Sequence, residues 1–300
     1  MTIDKLNNEI MTRDELFAQI QKKRSFLCVG LDTDVLKFPQ DILRKNSGKP
    51  ITSDLLFKFN RDIIEATAPY TVCYKLNLAF YEIYLGVGMN AISETIHYIK
   101  ENYPEIFIIA DAKRGDIKNT SEKYAKAFLD DDRYSSGSSL FDAVTLSPYM
   151  GRDTVDPFLA YKDKWAVILA LTSNESAKDF ETLELANGRK LYEQVLETSK
   201  EWGTTDNIMY VVGATRAETL KGIREIVPDH FLLVPGVGEQ GGSLQEVAEY
   251  GLNEKCGLLV NSSRGIIYAD NTERFAEAAA EKAREIQQEM EGLLRSKGLI

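Results

Sequence analysis

Ile106-Phe107-Ile108-Ile109-Ala110 runs without a polar side chain and passes directly into Asp111-Ala112-Lys113-Arg114-Gly115-Asp116-Ile117, in which four of seven residues carry charge. A short, β-branched apolar run bounded by charge reads as a strand covered on both faces, as in a parallel sheet. The charges then stand where the strand gives way to its loop. Outward from this stretch the pattern recurs in Phe26 to Leu31, Val72 to Leu76, Ala143 to Leu146, Ala166 to Leu171, Ile208 to Val212, Phe231 to Val234 and Gly257 to Val260. Together these are eight candidate strands.

Helical patterns lie between them. Ser53 to Ala66 sets Leu56, Phe59, Ile63 and Ala66 on one face, and Ala91 to Tyr98 carries Ile92, Thr95 and Ile96 with Ile99 close by. Thr12-Arg13-Asp14-Glu15 has capping-box spacing ahead of Leu16, Phe17 and Ile20, and a Glu/Ala/Lys-rich helix closes the chain from about Thr272 to Leu294. Strand and helix alternating eight times favour a closed (β/α)8 TIM barrel over an open doubly wound sheet. The expected architecture is a single domain over residues 1–300, with an N-terminal helix, polar loop insertions at Lys37 to Ser53 and Asp130 to Ser139, and a third insertion, Asn174 to Thr205, long enough to hold extra helix after the fifth strand.

Composition narrows the chemistry. With 36 Lys+Arg against 46 Asp+Glu the net charge is −10, which argues against a nucleic-acid or anionic-membrane surface. Cys28, Cys73 and Cys256 lie far apart in or beside apolar runs, as buried thiols of a reducing, cytoplasmic compartment do, and no run is long enough to span a membrane. His97 and His230 are the only histidines. They leave little for a histidine metal site or a Ser-His-Asp triad; His97 reads as a structural or surface residue, and His230 precedes its strand, at the wrong end of a barrel for catalysis. Asp130-Asp131-Asp132 lacks EF-hand spacing and reads as a solvated loop.

Active sites of such barrels sit at the C-terminal ends of the strands. There the chain places Asp32, Lys75 and Asn77, Asp111 and Lys113, Thr172 and Ser173, and finally Asn261, Ser262 and Arg264. Asp111 and Lys113 share the two-residue strand repeat, with Asp116 in the loop beyond; with Lys75 they compose two ammonium and two carboxylate groups that keep one another charged. Ser147-Pro148-Tyr149-Met150 offers no charge and reads as a turn whose larger side chains pack. Val234-Pro235-Gly236-Val237-Gly238-Glu239-Gln240-Gly241-Gly242 is a loop whose amides can approach a phosphate, and Arg264 adds a planar cation.

Asp111-Ala112-Lys113-Arg114-Gly115-Asp116-Ile117 resembles the signature of the orotidine 5′-phosphate decarboxylases, and the likeness extends to Cys28-Val29-Gly30-Leu31-Asp32, Lys75-Leu76-Asn77, Thr172-Ser173-Asn174, Pro235-Gly236-Val237-Gly238-Glu239-Gln240 and Asn261-Ser262-Ser263-Arg264-Gly265. The longer bacterial branch is the most similar. The resemblance implies cofactor-free and metal-free conversion of orotidine monophosphate to uridine monophosphate and CO₂, in pyrimidine biosynthesis. Lys75, Asp111, Lys113 and Asp116 would be the catalytic set, with Lys113 protonating C6 and Asp116 reaching into the partner's site of a homodimer. Asp32 matches a ribose-hydroxyl ligand and Ser173 a pyrimidine contact. Gln240 and Arg264, with the loop around Pro235 and Gly238, match phosphate contacts, while Ile117 and Thr120 match residues near the shared site. The nearest rival is a sugar-phosphate lyase with the same Asp-x-Lys-x-x-Asp and a Mg²⁺ ion, which EDTA would distinguish; a non-catalytic phosphate-ligand binder is disfavoured by the complete tetrad.

Overall fold

The computed structural model describes residues 11–130, 141–213, 217–236 and 243–300. Eight parallel strands close into one barrel in sequence order: β1 (Leu27–Leu31), β2 (Cys73–Asn77), β3 (Phe107–Arg114), β4 (Ala143–Leu146), β5 (Trp165–Leu171), β6 (Ile208–Val212), β7 (Phe231–Pro235) and β8 (Leu258–Ser262). Closure comes from β8 pairing with β1, Leu27 opposite Val260 and Cys28 opposite Asn261. The strands are buried almost throughout, because helices cover the outer face and side chains fill the interior. This is why each reads as an unbroken apolar run.

The end of the barrel where the strands begin is plugged by aromatic rings from alternate strands. Trp165 meets Phe107 edge-on at 6.0 Å and Phe231 at 6.3 Å, and its indole N–H donates to the Met11 carbonyl at 2.8 Å. The N-terminal helix Arg13–Lys23 thereby lies against this end, starting from a capping box formed by Thr12 and Glu15 and burying Leu16 and Ile20. On the flank, helix Ser53–Thr67 buries Leu56, Phe59 and Ile63, with the Phe59 ring stacked between Phe38 at 4.3 Å and Phe275 at 5.3 Å. Phe275 opens the closing helix Phe275–Ser296.

Two details depart from the expectation. β3 does not stop at Ala110: it runs on to Arg114, with a register shift against β4 between Ala110 and Arg114, so Asp111, Lys113 and Arg114 belong to the strand. Tyr149 and Met150 do not pack but stand exposed at 82% and 47%. The stretch after β5 holds extra helix as its length allows, a 3-10 turn, Glu175–Asp179, and then helix Leu191–Ser199. Cys28, Cys73 and Cys256 are free and buried. His230 is buried beside the Tyr210 ring, with its protonation pushed down to about 4 by burial and by Arg224 and Arg13, whereas His97 pairs with Glu101 on the surface.

Candidate active site

The centre of the site is Asp111. Its side chain enters the barrel mouth from β3 and is 9% exposed, where an unpaired carboxylate would be costly. Three donors satisfy it: Lys75 Nζ on Oδ2 at 2.8 Å, Lys113 Nζ on Oδ1 at 2.6 Å, and the Thr145 hydroxyl, from β4, on Oδ1 at 3.0 Å. Burial alone would raise the Asp111 pKa, but Lys75 and Lys113 outweigh it and hold the carboxyl well below its usual range. Burial likewise opposes charge on Lys75, yet Asp111 and Asp32 more than offset it and lift its pKa. Both groups are therefore ionised at neutral pH.

Lys113 reaches this position by an unusual backbone. Its φ is 46°, a left-handed conformation that side chains other than glycine adopt rarely, and its N–H donates to Thr145 Oγ1 at 2.9 Å. Thr145 so binds both the carboxylate and the main chain of the lysine that pairs with it. The Lys113 side chain is 51% exposed, with its ammonium at the edge of the cavity. Arg114, next in sequence, leaves the site, pairing with Glu82 and lying over the Tyr124 and Phe128 rings.

Asp32 follows β1 and brings a second carboxylate to Lys75, its Oδ1 lying 3.8 Å from Nζ. That oxygen is buried and makes no hydrogen bond among the described residues. Asp116 stands apart: its carboxylate accepts from the Ile117 N–H at 2.8 Å, and among the described residues no ion pair joins it to Lys75 or Lys113. Within one chain the charged group is thus Asp32, Lys75, Asp111 and Lys113. Ile117 and Thr120 are exposed beyond it.

A cavity of about 280 Å³ opens between the charged wall of Lys75, Asp111 and Lys113, the polar rim of Thr172, Ser173 and Asn174, and an apolar side made by Leu169, Val211 and Leu233 with Pro235. A larger hollow of about 690 Å³ lies elsewhere, among helix residues such as Glu122 and Pro157. Thr172 is held from the insertion after β5, where Glu181 accepts its N–H at 2.7 Å and lies 2.9 Å from its hydroxyl. Two glycines admit the close approaches that shape the mouth. A Cβ on Gly30 would lie 1.9 Å from Ser263 Oγ, beside Arg264, and one on Gly213 would lie 2.7 Å from the Ser173 nitrogen. Arg264 is exposed and opens the helical turn Arg264–Ile267 after β8. Gly238 and Gln240 lie outside the described residues.

Thr145 and Glu181 escape sequence reasoning, one as a single hydroxyl inside an apolar run and the other well beyond its strand in a polar insertion.

A family model described as orotidine 5′-phosphate decarboxylase / HUMPS family matches residues 25–279. The orotidine 5′-phosphate decarboxylase of Parabacteroides distasonis is 55% identical over 290 residues, covering 97% of this chain and 99% of its own length. That of Flavobacterium johnsoniae is 56% identical over 287 residues, covering 96% and 100%. The structure of Leishmania donovani OMP decarboxylase superposes with a TM-score of 0.72 at 33% identity, over 93% of this chain and 99% of that one. The match to the family model over the barrel, with relatives more than half identical over nearly their whole length, establishes that this chain belongs to the orotidine 5′-phosphate decarboxylase / HUMPS family.

Proposed function

We infer that the chain is a carboxy-lyase that converts orotidine 5′-phosphate to uridine 5′-phosphate and CO₂, and that it does so with its own lysines and aspartates. The observation that carries the mechanism is the run of opposite charges Lys75, Asp111, Lys113 at the strand ends, with two links of 2.8 Å and 2.6 Å. Heterolysis of the bond between C6 and the carboxylate releases CO₂ and leaves the electron pair on C6. Lys113, a cation already fixed in place, stabilises that pair and then donates a proton to it, and the resulting amine regains its proton from solvent. Lys75 and Thr145 hold Asp111, and Asp111 holds Lys113, so the field needs no rearrangement as charge develops.

The remaining roles follow the cavity. Asp32 Oδ1, a buried acceptor without a donor of its own among the described residues, suits a ribose hydroxyl. Ser173 suits the pyrimidine edge, and Arg264 with Pro235, Gly238 and Gln240 suits the phosphate. Absorbance-monitored turnover of orotidine monophosphate in EDTA-treated buffer tests the reaction: sustained decarboxylation is expected, and loss of activity restored by Mg²⁺ would favour the sugar-phosphate-lyase reading instead. For Arg264→Ala we expect KM to rise about 100-fold with a smaller fall in kcat, the size of one bidentate charged contact. An unchanged KM would remove Arg264 from the phosphate site.

A single domain over residues 1–300, cytoplasmic and paired as a homodimer, completes the reading. Among the described residues no helix is long and apolar enough to cross a membrane. Ile83 and Leu85 after β2, Met89 in the helix Gly86–Asn102 that follows, Ile117 after β3, and Tyr149 and Met150 after β4 are all exposed, an apolar surface suited to a second copy. Asp116, beside Ile117, would enter the partner's site, with Ile117 and Thr120 lining it. Mixing inactive Lys113→Ala and Asp116→Ala proteins tests this. Exchange between dimers should regenerate one intact site in each mixed pair and restore up to about one quarter of native activity at equal mixing, since half of the randomly paired dimers are mixed. No recovery in dimers shown to exchange would refute the sharing.

A further inference from the structure

Asp32 poses a positional problem. Its buried Oδ1 has no hydrogen bond among the described residues and lies 3.8 Å from Lys75 Nζ, too far for a firm hold on the carboxylate. The main chain around it is fastened instead. The Tyr268 hydroxyl donates to the Asp32 carbonyl at 2.9 Å and accepts from the Asp34 N–H at 2.6 Å, bridging the peptides on both sides of Thr33. From the opposite side, the fully buried Tyr81 donates to the Leu31 carbonyl at 3.0 Å, and the Thr33 hydroxyl donates to Asn60 Oδ1 at 2.6 Å. Asn60 Nδ2 in turn donates to Tyr81 and to Thr95, at 3.0 and 2.9 Å.

We infer that Tyr268 is a positioning residue for the decarboxylation, acting through Asp32: its phenol sets the path of the Leu31–Asp34 segment and so aims the Asp32 carboxylate at Lys75 and at the substrate. The ring is itself immobilised, stacked 5.8 Å from Phe59 with Lys37 Nζ 5.6 Å from its centre. Its N–H donates to the Arg264 carbonyl at 3.1 Å, so one residue ties the turn that carries Arg264 to the segment that carries Asp32. The spacing of two groups that follow the paired strands β1 and β8 is thus set through a single tyrosine. A misplacement of about 1 Å in such a site lowers the rate by far more than the strength of one hydrogen bond would suggest.

This inference rests on the decarboxylase reading, and its test separates the two. Tyr268→Phe keeps the ring and removes only the hydroxyl. Its kcat/KM for orotidine monophosphate is expected to fall about tenfold, whereas the same change in an Asp32→Asn background should cost less than about twofold, because Asp32 is the group through which Tyr268 acts. Thr33→Val, which releases the segment from the other side, should show the same loss and the same masking, and it decides the question if Tyr268→Phe does not fold. Equal losses in both backgrounds mean a general structural role and overturn the inference. So does native kcat/KM in Tyr268→Phe, or an Asp32→Asn protein as active as the unsubstituted one. A failure of the unsubstituted protein to decarboxylate would instead overturn the underlying reaction.

Discussion

Lys113→Ala should lower kcat by at least about 10⁴-fold and leave the barrel folded. The loss combines a general acid, worth about 10²–10⁴, with the fixed positive charge facing the developing carbanion, worth a further factor of about 10²–10³. The fold survives because the Lys113 side chain is half exposed, so its removal opens no core cavity, and its ion pair contributes little at that exposure. Asp111 keeps two of its three donors, Lys75 and Thr145. Single-turnover kinetics beside a thermal melt would check both halves. A variant with kcat within tenfold of native would end the assignment of Lys113 as the proton donor.

Asp111→Asn should damage both chemistry and stability. An amide fills the same space but cannot balance Lys75, which is 4% exposed and would face only Asp32, at 3.8 Å. Breaking a buried pair by removing one partner costs about 3–5 kcal/mol, and without its carboxylate Lys113 loses its orientation, so kcat should also fall by about 10³-fold or more. The pH dependence gives a sharper readout. In the native chain the Asp111 pKa is depressed, so its contribution is present above the unfolded carboxyl value near 3.9 and is lost as pH falls below it. The Lys75 pKa is raised, so its contribution is present below the unfolded value near 10.4 and is lost as pH rises through the folded one. In the variant, burial dominates Lys75 and its folded pKa drops below the unfolded value. The variant should then gain stability on going from about pH 6 to pH 9, where the native barrel gains nothing from this lysine. Melting curves that stay parallel across that range would show that Asp111 does not carry the charge of Lys75.

The barrel was legible because its strands are buried on both faces. Ala143–Leu146 and Ile208–Val212 occupy the residues that apolarity alone assigns to them, and Thr12 caps the first helix as its spacing requires. Apolarity could not locate the end of β3, since Asp111 to Arg114 continue the strand with polar side chains and a shifted register. Lys75, Asp111 and Lys113 could be read as a cluster because charge at a strand end is conspicuous. Asp32 was legible as a residue near the ribose but not as the second carboxylate of Lys75, a relation made by the pairing of β1 with β2. Thr145, Asn60, Tyr81 and Tyr268 left no trace. Each is an ordinary polar residue in its own segment, and its meaning arises only from neighbours far along the chain. Asp116 illustrates the converse, for its place in the motif suggests an ion pair with Lys75 or Lys113 that it does not make among the described residues.

Lys113 holds opposing demands on a single residue. At φ 46° the backbone would be most at ease with glycine, which reaches that conformation without a steric penalty, whereas the reaction requires an amine there. Any scheme that optimised this chain for thermal resistance alone would be drawn to a glycine at this position and would deliver a sturdier barrel with no turnover. Stabilisation of the enzyme is better sought on the outer helices, with the end of β3 left as it stands.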